Sequence, residues 1–357
     1  MKVGILTFHF VYNYGAVLQA WGLQQAIESL GHEVCFVNYV PSYMKNRISP
    51  FCGWGFRSGS KFFTTFHHRL RESRRRNRFS VFPRKHLKVS KFLNTREAMQ
   101  EFCENLDAVI VGSDQVWNLN WLNQFDDTYF LGFLKGDKPK KIAYGACFGQ
   151  IKQPKKHLDK ACELIKHFDH IGMRNQFGHE ILNKSVGIET EAVVDPGFFI
   201  RVSKDKTLRN EISVYAVDKK GAEICAKTAK KVANFKDAKT LYIASENNIQ
   251  YPKNGKHITN LTPIEWLNQL ACSTFICSES FHGTVFALAN SVPFISASGG
   301  YRSTRVEDLL IKYGLKDRYL NSLSDFKYDF CELDSSYYLD LQRDIDHSIN
   351  FLEKALL

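Results

Sequence analysis

Residues 272–296, Cys-Ser-Thr-Phe-Ile-Cys-Ser-Glu-Ser-Phe-His-Gly-Thr-Val-Phe-Ala-Leu-Ala-Asn-Ser-Val-Pro-Phe-Ile-Ser, decide the fold of this chain. The apolar, β-branched run Thr274–Cys277 predicts a buried strand. Small polar residues at 278–283 predict a tight loop, Thr284–Ala289 predicts a buried helix, and Pro293–Ser296 predicts the next strand. Because open α/β sheets bind ligands at the carboxyl ends of their strands, this loop is a candidate binding site.

The loop carries several residues that suit chemistry on an anion. His282 can donate to an anion or move a proton near neutral pH. Glu279 adds a carboxylate, and either Ser280 or Thr284 can cap the helix, whose start attracts phosphate or carboxylate. The alternative is structural: His282 fixes the loop by hydrogen bonds, while Glu279 and Ser280 form a turn and a cap.

The first forty residues predict a βαβ unit. Val3–Phe8 is predicted as a strand, Gly15 to Leu30 as a helix with one apolar face, and Glu33–Val40 as a second strand. A helical crossover implies parallel strands. The loop at residues 13–15 lies at a strand end, where it can line the cleft. Alternatively, it is a turn that uses the backbone freedom of Gly15.

Two later strands end in charged candidates. Asp107–Val111 is predicted as a strand, and Asp114 beyond it is a candidate base or hydroxyl ligand, or an Asp that turns the chain. The strand His170–Met173 delivers Arg174, whose planar fork suits phosphate or carboxylate unless it is an ordinary surface arginine. Residues 195–197, Asp-Pro-Gly, predict a hinge or the last turn of a domain.

Aromatic and arginine-bearing segments complete the candidate regions. The run Trp117–Phe130 suits stacking on a sugar ring, although packing is the commoner use of aromatic residues. A second α/β series begins at Ser213. It includes a helix with Arg302 and Arg305 near its start, and residues 339–357 predict a terminal amphipathic helix.

Length predicts two domains, because 357 residues exceed the ~250–300 at which single cores stop growing. We expect an α/β domain over residues 1–200, with an irregular basic insertion at 45–100, and a second α/β domain over 201–335. The terminal helix, 336–357, could pack back on the first domain.

Charge and cysteine content narrow the function classes. The net charge of +11 suggests an anionic partner, and much of it clusters at Arg69, Arg71, Arg74, Arg75, Arg76, Arg78, Arg84 and Lys85. This cluster suits nucleic acid, anionic lipid or a phosphate-bearing substrate, or it is a solvated helix face. Nine cysteines without a CxxC pair indicate reduced thiols rather than a disulfide framework or zinc site. With no signal-peptide pattern and no run of ~20 apolar residues, we expect a cytoplasmic protein, with the inner face of the membrane as an alternative place.

Several blocks of the sequence resemble the polysaccharide pyruvyl transferase family. They are Lys2–His9, Asn13–Gln19, Val111–Trp117, Tyr144–Gly149, Val194–Gly197, Leu261–Leu267 and Ser280–Leu288. The resemblance implies two Rossmann-like domains that face a cleft, as in GT-B glycosyltransferases. It also implies transfer of the pyruvyl group of phosphoenolpyruvate to two hydroxyls of one sugar, in a polysaccharide or its lipid-linked precursor, giving a cyclic ketal and phosphate.

The resemblance also implies roles for individual residues. His282 matches the signature histidine, and with Glu279 and Asp114 it is expected to be catalytic. The expected donor-binding residues are Arg305, Arg174, Arg302, Ser280, Gly283 and Thr284, and the expected acceptor-binding residues are Asn13, Tyr14 and Trp117. Two positions depart from the family: Glu279 stands where many members carry Asp, and Asn175 stands where Glu often follows the arginine.

The implied reaction requires phosphoenolpyruvate as co-substrate, a saccharide acceptor and no metal, and the sequence shows no metal-ligand cluster. If the acceptor is linked to polyprenyl diphosphate, the basic segment Arg69–Lys85 would contact the membrane that carries it. Nucleic acid is not an expected partner. Three alternatives stay open. They are a glycosyltransferase that uses a nucleotide-sugar, a non-catalytic binder of nucleic acid or anionic membrane, and a relative that has lost activity.

Overall fold

A computed structural model describes residues 1–41, 44, 76–203, 207–245, 249–299 and 303–357. Two six-stranded sheets organise them, and every strand pair in both sheets is parallel. The predicted pair of Rossmann-like α/β domains is therefore confirmed.

The first sheet has the strand order β2-β1-β3-β4-β5-β6. Its strands are Lys2–Leu6 (β1), Glu33–Phe36 (β2), Ala108–Val111 (β3), Lys140–Ala146 (β4), His170–Met173 (β5) and Glu191–Ala192 (β6). The second strand ends four residues earlier than predicted. Beyond Phe36 the chain bonds to a neighbouring segment instead, with the backbone N–H of Asn38 donating to Oγ of Ser90 at 3.1 Å.

The second sheet has the order β12-β11-β10-β7-β8-β9. Its strands are Arg209–Tyr215 (β7), Lys239–Ile243 (β8), Lys256–Ile258 (β9), Ser273–Ser278 (β10), Phe294–Ala297 (β11) and Tyr319–Leu320 (β12). The strand β10, predicted from its apolar β-branched run, is wholly buried at Phe275, Ile276 and Cys277. It lies near the middle of its sheet, as a continuous apolar strand should.

Helices connect the strands of both sheets. Those of the first half are Tyr14–Ser29 (α1), 76–86 (α2), Arg96–Glu104 (α3), Lys155–Ile165 (α4) and Gln176–Val186 (α5). The later ones are Lys219–Lys236 (α6), Pro263–Ala271 (α7), Phe281–Ala289 (α8), Ser303–Lys312 (α9) and Ser336–Ala355 (α10). No helix in the described residues is both long enough and apolar enough to cross a membrane.

Each sheet reverses its strand order once, and the two reversals define where a ligand should bind. The chain runs from β1 to β2 on one side and then crosses to β3 on the other side of β1. In the second sheet it runs through β7, β8 and β9 and then crosses to β10 on the other side of β7. Open α/β sheets bind ligands outside the carboxyl ends of the strands at such a switch point.

A continuous apolar core joins the two halves. Tyr14 of α1 stacks on Trp266 of α7, with ring centroids 5.3 Å apart and planes 9° from parallel. The Tyr14 hydroxyl also donates to the carbonyl of Leu261 at 3.1 Å. Because fully burying a large apolar side chain stabilises a fold by about 1.5–3 kcal/mol, this core ties the halves firmly together.

The last helix contacts both halves. Near its start, the hydroxyl of Tyr337 donates to the carbonyl of Leu288 at 3.0 Å. Towards its end, Oγ of Ser348 accepts from the backbone N–H of Val194 at 2.9 Å, and Phe351 packs against Tyr144 of β4. The helix therefore crosses from the second sheet to the first.

Candidate active site

One cleft lies between the two switch points. It is lined by Asn13, Asp114, Gln115, Val217, Glu279, Ser280, Phe281, His282 and Arg305. Asn13 follows β1 and Asp114 follows β3, while Val217 follows β7 and Glu279 follows β10. The four strand ends that flank the two reversals thus open onto the same space.

His282 lies in the first turn of α8 rather than in a loop. The helix begins at Phe281, three residues earlier than predicted, with Ser280 at its N-cap position. His282 is 7% exposed, and its Nε2 lies 3.7 Å from Oδ2 of Asp195. Nε2 has no hydrogen-bond partner among the described residues. The histidine is thus buried at the cleft and faces a carboxylate.

Gly15 packs directly against the imidazole of His282. A Cβ built at Gly15 would lie 2.2–2.3 Å from Cγ, Cβ and Nδ1 of His282. The glycine also lies inside α1 and not in a turn, so the alternative interpretation, a turn that uses its backbone freedom, is wrong. Its lack of a side chain serves this contact across the two halves.

Arg174 was predicted to hold the donor, but its guanidinium is committed to carboxylates within the protein. Its side chain is only 1% exposed. It donates to Oδ2 of Asp195 in a short hydrogen bond, to Oδ1 of Asp114 at 3.2 Å and to Oγ of Ser113 at 3.1 Å. Burial alone would lower the pKa of Arg174, but the facing carboxylates, chiefly that of Asp195, raise it. Arg174 therefore holds the carboxylates of Asp195 and Asp114 in place. The expectation that it contacts the donor directly is corrected.

Asp195 is a site residue that sequence reasoning missed. Interpreted as a hinge or turn residue, it is instead a wholly buried carboxylate, with Oδ1 accepting from the backbone N–H of Gly197 at 2.8 Å. Burial would raise its pKa, but the positive charges of Arg174 and His282 lower the pKa strongly. The available signal was the family block Val194–Gly197, which places an acid next to a Pro-Gly turn.

Asp114 lies at the cleft as predicted, with its side chain 14% exposed. Its φ of +78° also turns the chain, a conformation that Asp tolerates better than most residues. Burial would raise the pKa of Asp114, but Arg174, His282 and Arg305 outweigh it and lower the pKa. The carboxylate therefore stays ionised near neutral pH, which favours charge stabilisation and hydroxyl binding over general-base catalysis.

Arg305 lines the cleft from the first turns of α9. It is 5% exposed, and its two terminal nitrogens lie 3.1 and 3.2 Å from the side-chain amide of Gln115. Its guanidinium carbon lies 5.5 Å from the ring centroid of Phe281, which also has Arg174 at 4.8 Å. Cation–π contacts of this kind help to desolvate and orient a guanidinium. Gln115 and Phe281 were not predicted as site residues.

Glu279 is held in place by the neighbouring strand-end loop. Its Oε2 accepts from the backbone N–H of Val217 at 2.7 Å and of Asp218 at 3.1 Å. Side chains at Gly221 or Gly299 would collide with it, because a built Cβ lies 2.4 and 2.7 Å from its side chain. Glu279 thus neutralises the start of α6 while it lines the cleft, which supports the structural interpretation beside the predicted catalytic one.

The other small residues of the signature divide between cleft and core. Ser280 lines the cleft and precedes α8, but its side chain makes no capping hydrogen bond. Thr284 is wholly buried, donates to the carbonyl of Ser280 at 3.2 Å and pairs with Oγ of Ser296 at 2.7 Å. Gly283 faces Oγ of Ser278, 2.1 Å from a built Cβ. Donor contact by the side chain of Thr284 is therefore corrected to a packing role, and capping by either residue is also wrong.

Of the three predicted acceptor-binding residues, Asn13 alone lines the cleft, where it also caps α1 by accepting from the N–H of Ala16 at 3.0 Å. Tyr14 is 4% exposed and stacked against Trp266. Trp117 is wholly buried, and its Nε1–H donates to the carbonyl of Tyr129 at 2.8 Å. Stacking of either ring on a sugar is therefore corrected to core packing. Arg302 lies outside the described residues.

The basic cluster falls partly within the described residues, where its members differ in role. On α2, Arg78 makes two hydrogen bonds to the carboxylate of Glu265, at 2.7 and 2.9 Å. Arg76 lies 5.2 Å from the ring centroid of Tyr12, and Arg84 and Lys85 are exposed. Positions 69, 71, 74 and 75 lie outside the described residues.

The sequence profile of the polysaccharide pyruvyl transferase family matches residues 13–299. The chain therefore belongs to the polysaccharide pyruvyl transferase family, as its motifs predicted. The match includes Asn13, Asp114, Asp195 and His282. A search of curated proteins finds no match.

Several solved structures are similar to this chain at low sequence identity. One is an alpha-glucosyltransferase in complex with UDP and a 13-mer DNA, with a TM-score of 0.48, 10% identity and coverage of 99% of this chain and 95% of that chain. Another is a putative UDP-N-acetylglucosamine 2-epimerase from Listeria monocytogenes, with a TM-score of 0.48, 12% identity and 93% coverage of both chains. A third is the E. coli heptosyltransferase WaaC, with a TM-score of 0.38, 14% identity and coverage of 84% and 89%. None of these likenesses bears on the substrate of this chain.

Proposed function

We propose that this protein transfers the pyruvyl group of phosphoenolpyruvate to two hydroxyls of one saccharide, forming a cyclic ketal and releasing phosphate. Family membership gives the reaction class. The observation that carries the proposal is the convergence of His282, Arg305 and an uncapped helix start on one cleft at the two switch points.

The donor is strongly anionic, and the second half of the cleft supplies the matching groups. The first-turn N–H groups of α8 have no side-chain cap, and a helix start favours a phosphate or carboxylate. The start of α6, by contrast, is already neutralised by Glu279 and by Asp218, which accepts from the N–H of Lys220 at 2.9 Å. We therefore assign the donor phosphate or carboxylate to the start of α8, with Arg305 as a further cationic contact.

The chemistry follows from the donor's enol group. His282 gives a proton to the methylene carbon C3, which becomes a methyl group and leaves C2 electrophilic. One acceptor hydroxyl forms a bond to C2 and loses its proton. The C2–O bond to phosphate then breaks, and the second hydroxyl closes the ketal as its proton leaves with the phosphate. Overall, one hydroxyl proton replaces the proton given to C3 and the other appears on phosphate.

The first half of the cleft supplies the acceptor side. Asn13 offers an amide and Asp114 an ionised carboxylate, both suited to hydrogen bonding sugar hydroxyls. The negative charge of Asp114 would also stabilise the oxocarbenium-like C2 as it forms. The low pKa of Asp114 supports this role over proton abstraction.

A thermal-shift series tests the donor without knowledge of the acceptor. Ligand at 100 times its dissociation constant should stabilise the fold by about 2.7 kcal/mol. We expect phosphoenolpyruvate to stabilise the protein more than free phosphate does, and Arg305→Gln to lose most of that effect. The control Arg201→Gln removes an exposed arginine that bonds to Tyr338 and Gln342, and it should respond like the wild type. If only UDP- or GDP-sugars stabilise the protein, the proposal of pyruvyl transfer is wrong and glycosyl transfer becomes the favoured function.

A further inference from the structure

The buried carboxylate of Asp195 lies behind His282, and its role follows from the proposed function. We propose that Asp195 is a positioning residue that binds Nε2–H of His282, so that the proton transferred to substrate is carried on Nδ1. The histidine belongs to the second half of the molecule and the carboxylate to the first, so the reacting group is completed only where the halves meet.

Asp195 is itself fixed before it meets the histidine. Its Oδ1 accepts the N–H of Gly197 at 2.8 Å, and its Oδ2 accepts a short hydrogen bond from Arg174. The side chains of both Asp195 and Arg174 are 1% exposed, so water competes little with these contacts. The 3.7 Å between Oδ2 and Nε2 of His282 is an ion-pair distance that a small ring rotation converts to a hydrogen bond.

The opposite part of the ring explains why Nδ1 is the nitrogen left for substrate. Nε2 is buried and faces the carboxylate. Nδ1 lies where a side chain at Gly15 would collide with it, and Gly15 is two residues beyond Asn13, which lines the cleft. A larger residue at position 15 would therefore obstruct the second nitrogen, and glycine avoids that obstruction.

Three carboxylates and two guanidiniums surround His282, so the charged side chains around the ring do not cancel one another. From the first half, Asp114, Asp195 and Arg174 belong to one hydrogen-bonded network. From the second half, Glu279 and Arg305 line the cleft with the histidine. Glu279 is held by the start of α6, and Arg174 is divided between two carboxylates. Asp195 thus remains as the carboxylate within ion-pair distance of the ring, and its Oδ2 is the acceptor available to Nε2–H.

His282 loses and regains one proton at Nδ1 during each turnover. The imidazolium gives the Nδ1 proton to C3 of the donor and becomes the neutral Nε2–H form, which Asp195 continues to hold. Nδ1 then accepts the proton of the attacking hydroxyl and the imidazolium is restored. An aspartate that fixes the tautomer of a catalytic histidine in this way is the logic of a Ser-His-Asp triad.

Nitrogen-15 NMR on the wild-type full chain tests the assignment without any turnover. With ¹⁵N-labelled histidine, and with His282→Gln to identify the signal, we expect the neutral form to be the Nε2–H tautomer. An Nδ1–H tautomer for His282 would overturn the proposal. Because no ligand is needed, this result stands whether or not phosphoenolpyruvate proves to be the donor.

The variant Asp195→Asn adds a second arm that separates positioning from structure. We expect His282 to lose its preference for the Nε2–H tautomer, because the carboxylate that accepts from Nε2–H is removed. Fewer molecules then present the correct nitrogen to substrate, so kcat should fall while KM for phosphoenolpyruvate changes little. The control Asp169→Asn removes a carboxylate that accepts the N–H of Lys141 at 2.7 Å elsewhere in the first sheet, and it should shift neither quantity. A folded Asp195→Asn protein in which the tautomer of His282 and kcat are both unchanged would contradict the proposal.

Discussion

Two histidines follow strands in the two halves of this molecule and are buried to nearly the same degree. His9 follows β1 and is 3% exposed, and His282 follows β10 and is 7% exposed. His9 has its Nδ1 3.1 Å from the carbonyl oxygen of Thr7, to which it donates, and packs against the rings of Phe10 and Phe36. His282 instead faces the carboxylate of Asp195.

The difference teaches that burial alone does not give a histidine its role. Burial among aromatic rings lowers the pKa of His9 to about 4, against weaker opposing hydrogen bonds from Thr7 and Asn38, so the ring is neutral at physiological pH. Around His282 the same loss of water is accompanied by charged groups that interact with an imidazolium. The first histidine fits a structural role, and the second fits proton transfer.

The largest effect should come from exchanging the two imidazoles for amides. His282→Gln is expected to lower kcat for ketal formation by about 10²–10⁴-fold, the usual contribution of positioned proton transfer. His9→Gln should leave kcat nearly unchanged, because His9 does not line the cleft. The measurement is ketal formed per unit time from phosphoenolpyruvate, with thermal unfolding to verify both folds. Equal losses of kcat in His282→Gln and His9→Gln would contradict the assignment of different roles to the two histidines.

The next largest effect is on stability as a function of pH. A histidine with an ordinary pKa of 6.5 in the unfolded chain and about 4 in the folded protein binds more protons when unfolded. Its contribution to stability is full above pH 6.5 and is lost as pH falls to about 4, by about 3 kcal/mol. Urea unfolding of wild type and His9→Gln between pH 7 and pH 4 should therefore give converging free energies of unfolding. Parallel curves would show that His9 is not held neutral.

A smaller effect should follow from filling the contact between the halves at His282. In Gly15→Ala the new methyl would lie 2.2–2.3 Å from the imidazole. Overpacking typically costs about 1–3 kcal/mol, and the better helix propensity of Ala returns up to about 1 kcal/mol. We expect a net loss of up to about 2 kcal/mol in the free energy of unfolding. The loss in kcat should be disproportionately large, because misplacing a reacting group by ~1 Å can cost ~10²-fold. A Gly15→Ala protein with reduced stability but full kcat would show that the Gly15 contact does not position His282 for the reaction.

The smallest effect should come from an ion pair that joins the halves away from both histidines. Arg78 and Glu265 are 46% and 45% exposed, so their pairing is expected to contribute about 0–1 kcal/mol. A double-mutant cycle with Arg78→Ala and Glu265→Gln measures it free of the capping role of Glu265 in α7. The coupling should shrink further at ~1 M salt. A coupling energy of several kcal/mol would show that this ion pair, and not the apolar core, contributes most to holding the two halves together.

Local chemistry made much of the fold predictable. Three signals depend only on residues that are close together in the sequence. They are the periodicity of α1, the capping box of Thr262 and Glu265, and the apolar run of β10. His282 and Arg305 could be placed because each lies near the start of an element that follows a strand. Helix starts were harder, since α8 begins at Phe281, inside residues whose composition favours a loop.

The failures concern contacts between segments distant in sequence. Asp195 was interpreted as a turn residue because its meaning depends on Arg174 and His282, which only the fold brings to it. Trp117 was assigned to a sugar because an aromatic residue beside polar ones looks the same whether it is exposed or buried. For Gly15 the sequence offered only a place beside the cleft or a need for backbone freedom, whereas its neighbour across the two halves is what requires a glycine.

The most direct test of pyruvyl transfer is the proton NMR spectrum of the polysaccharide made by the organism that encodes this chain. The account predicts the methyl signal of a pyruvate ketal in the wild-type polymer and its loss in a strain carrying His282→Gln, with the sugar composition unchanged. A ketal signal that persists in the His282→Gln strain would contradict the account. The loss of a sugar residue in place of the ketal would also contradict it and would identify the protein as a glycosyltransferase.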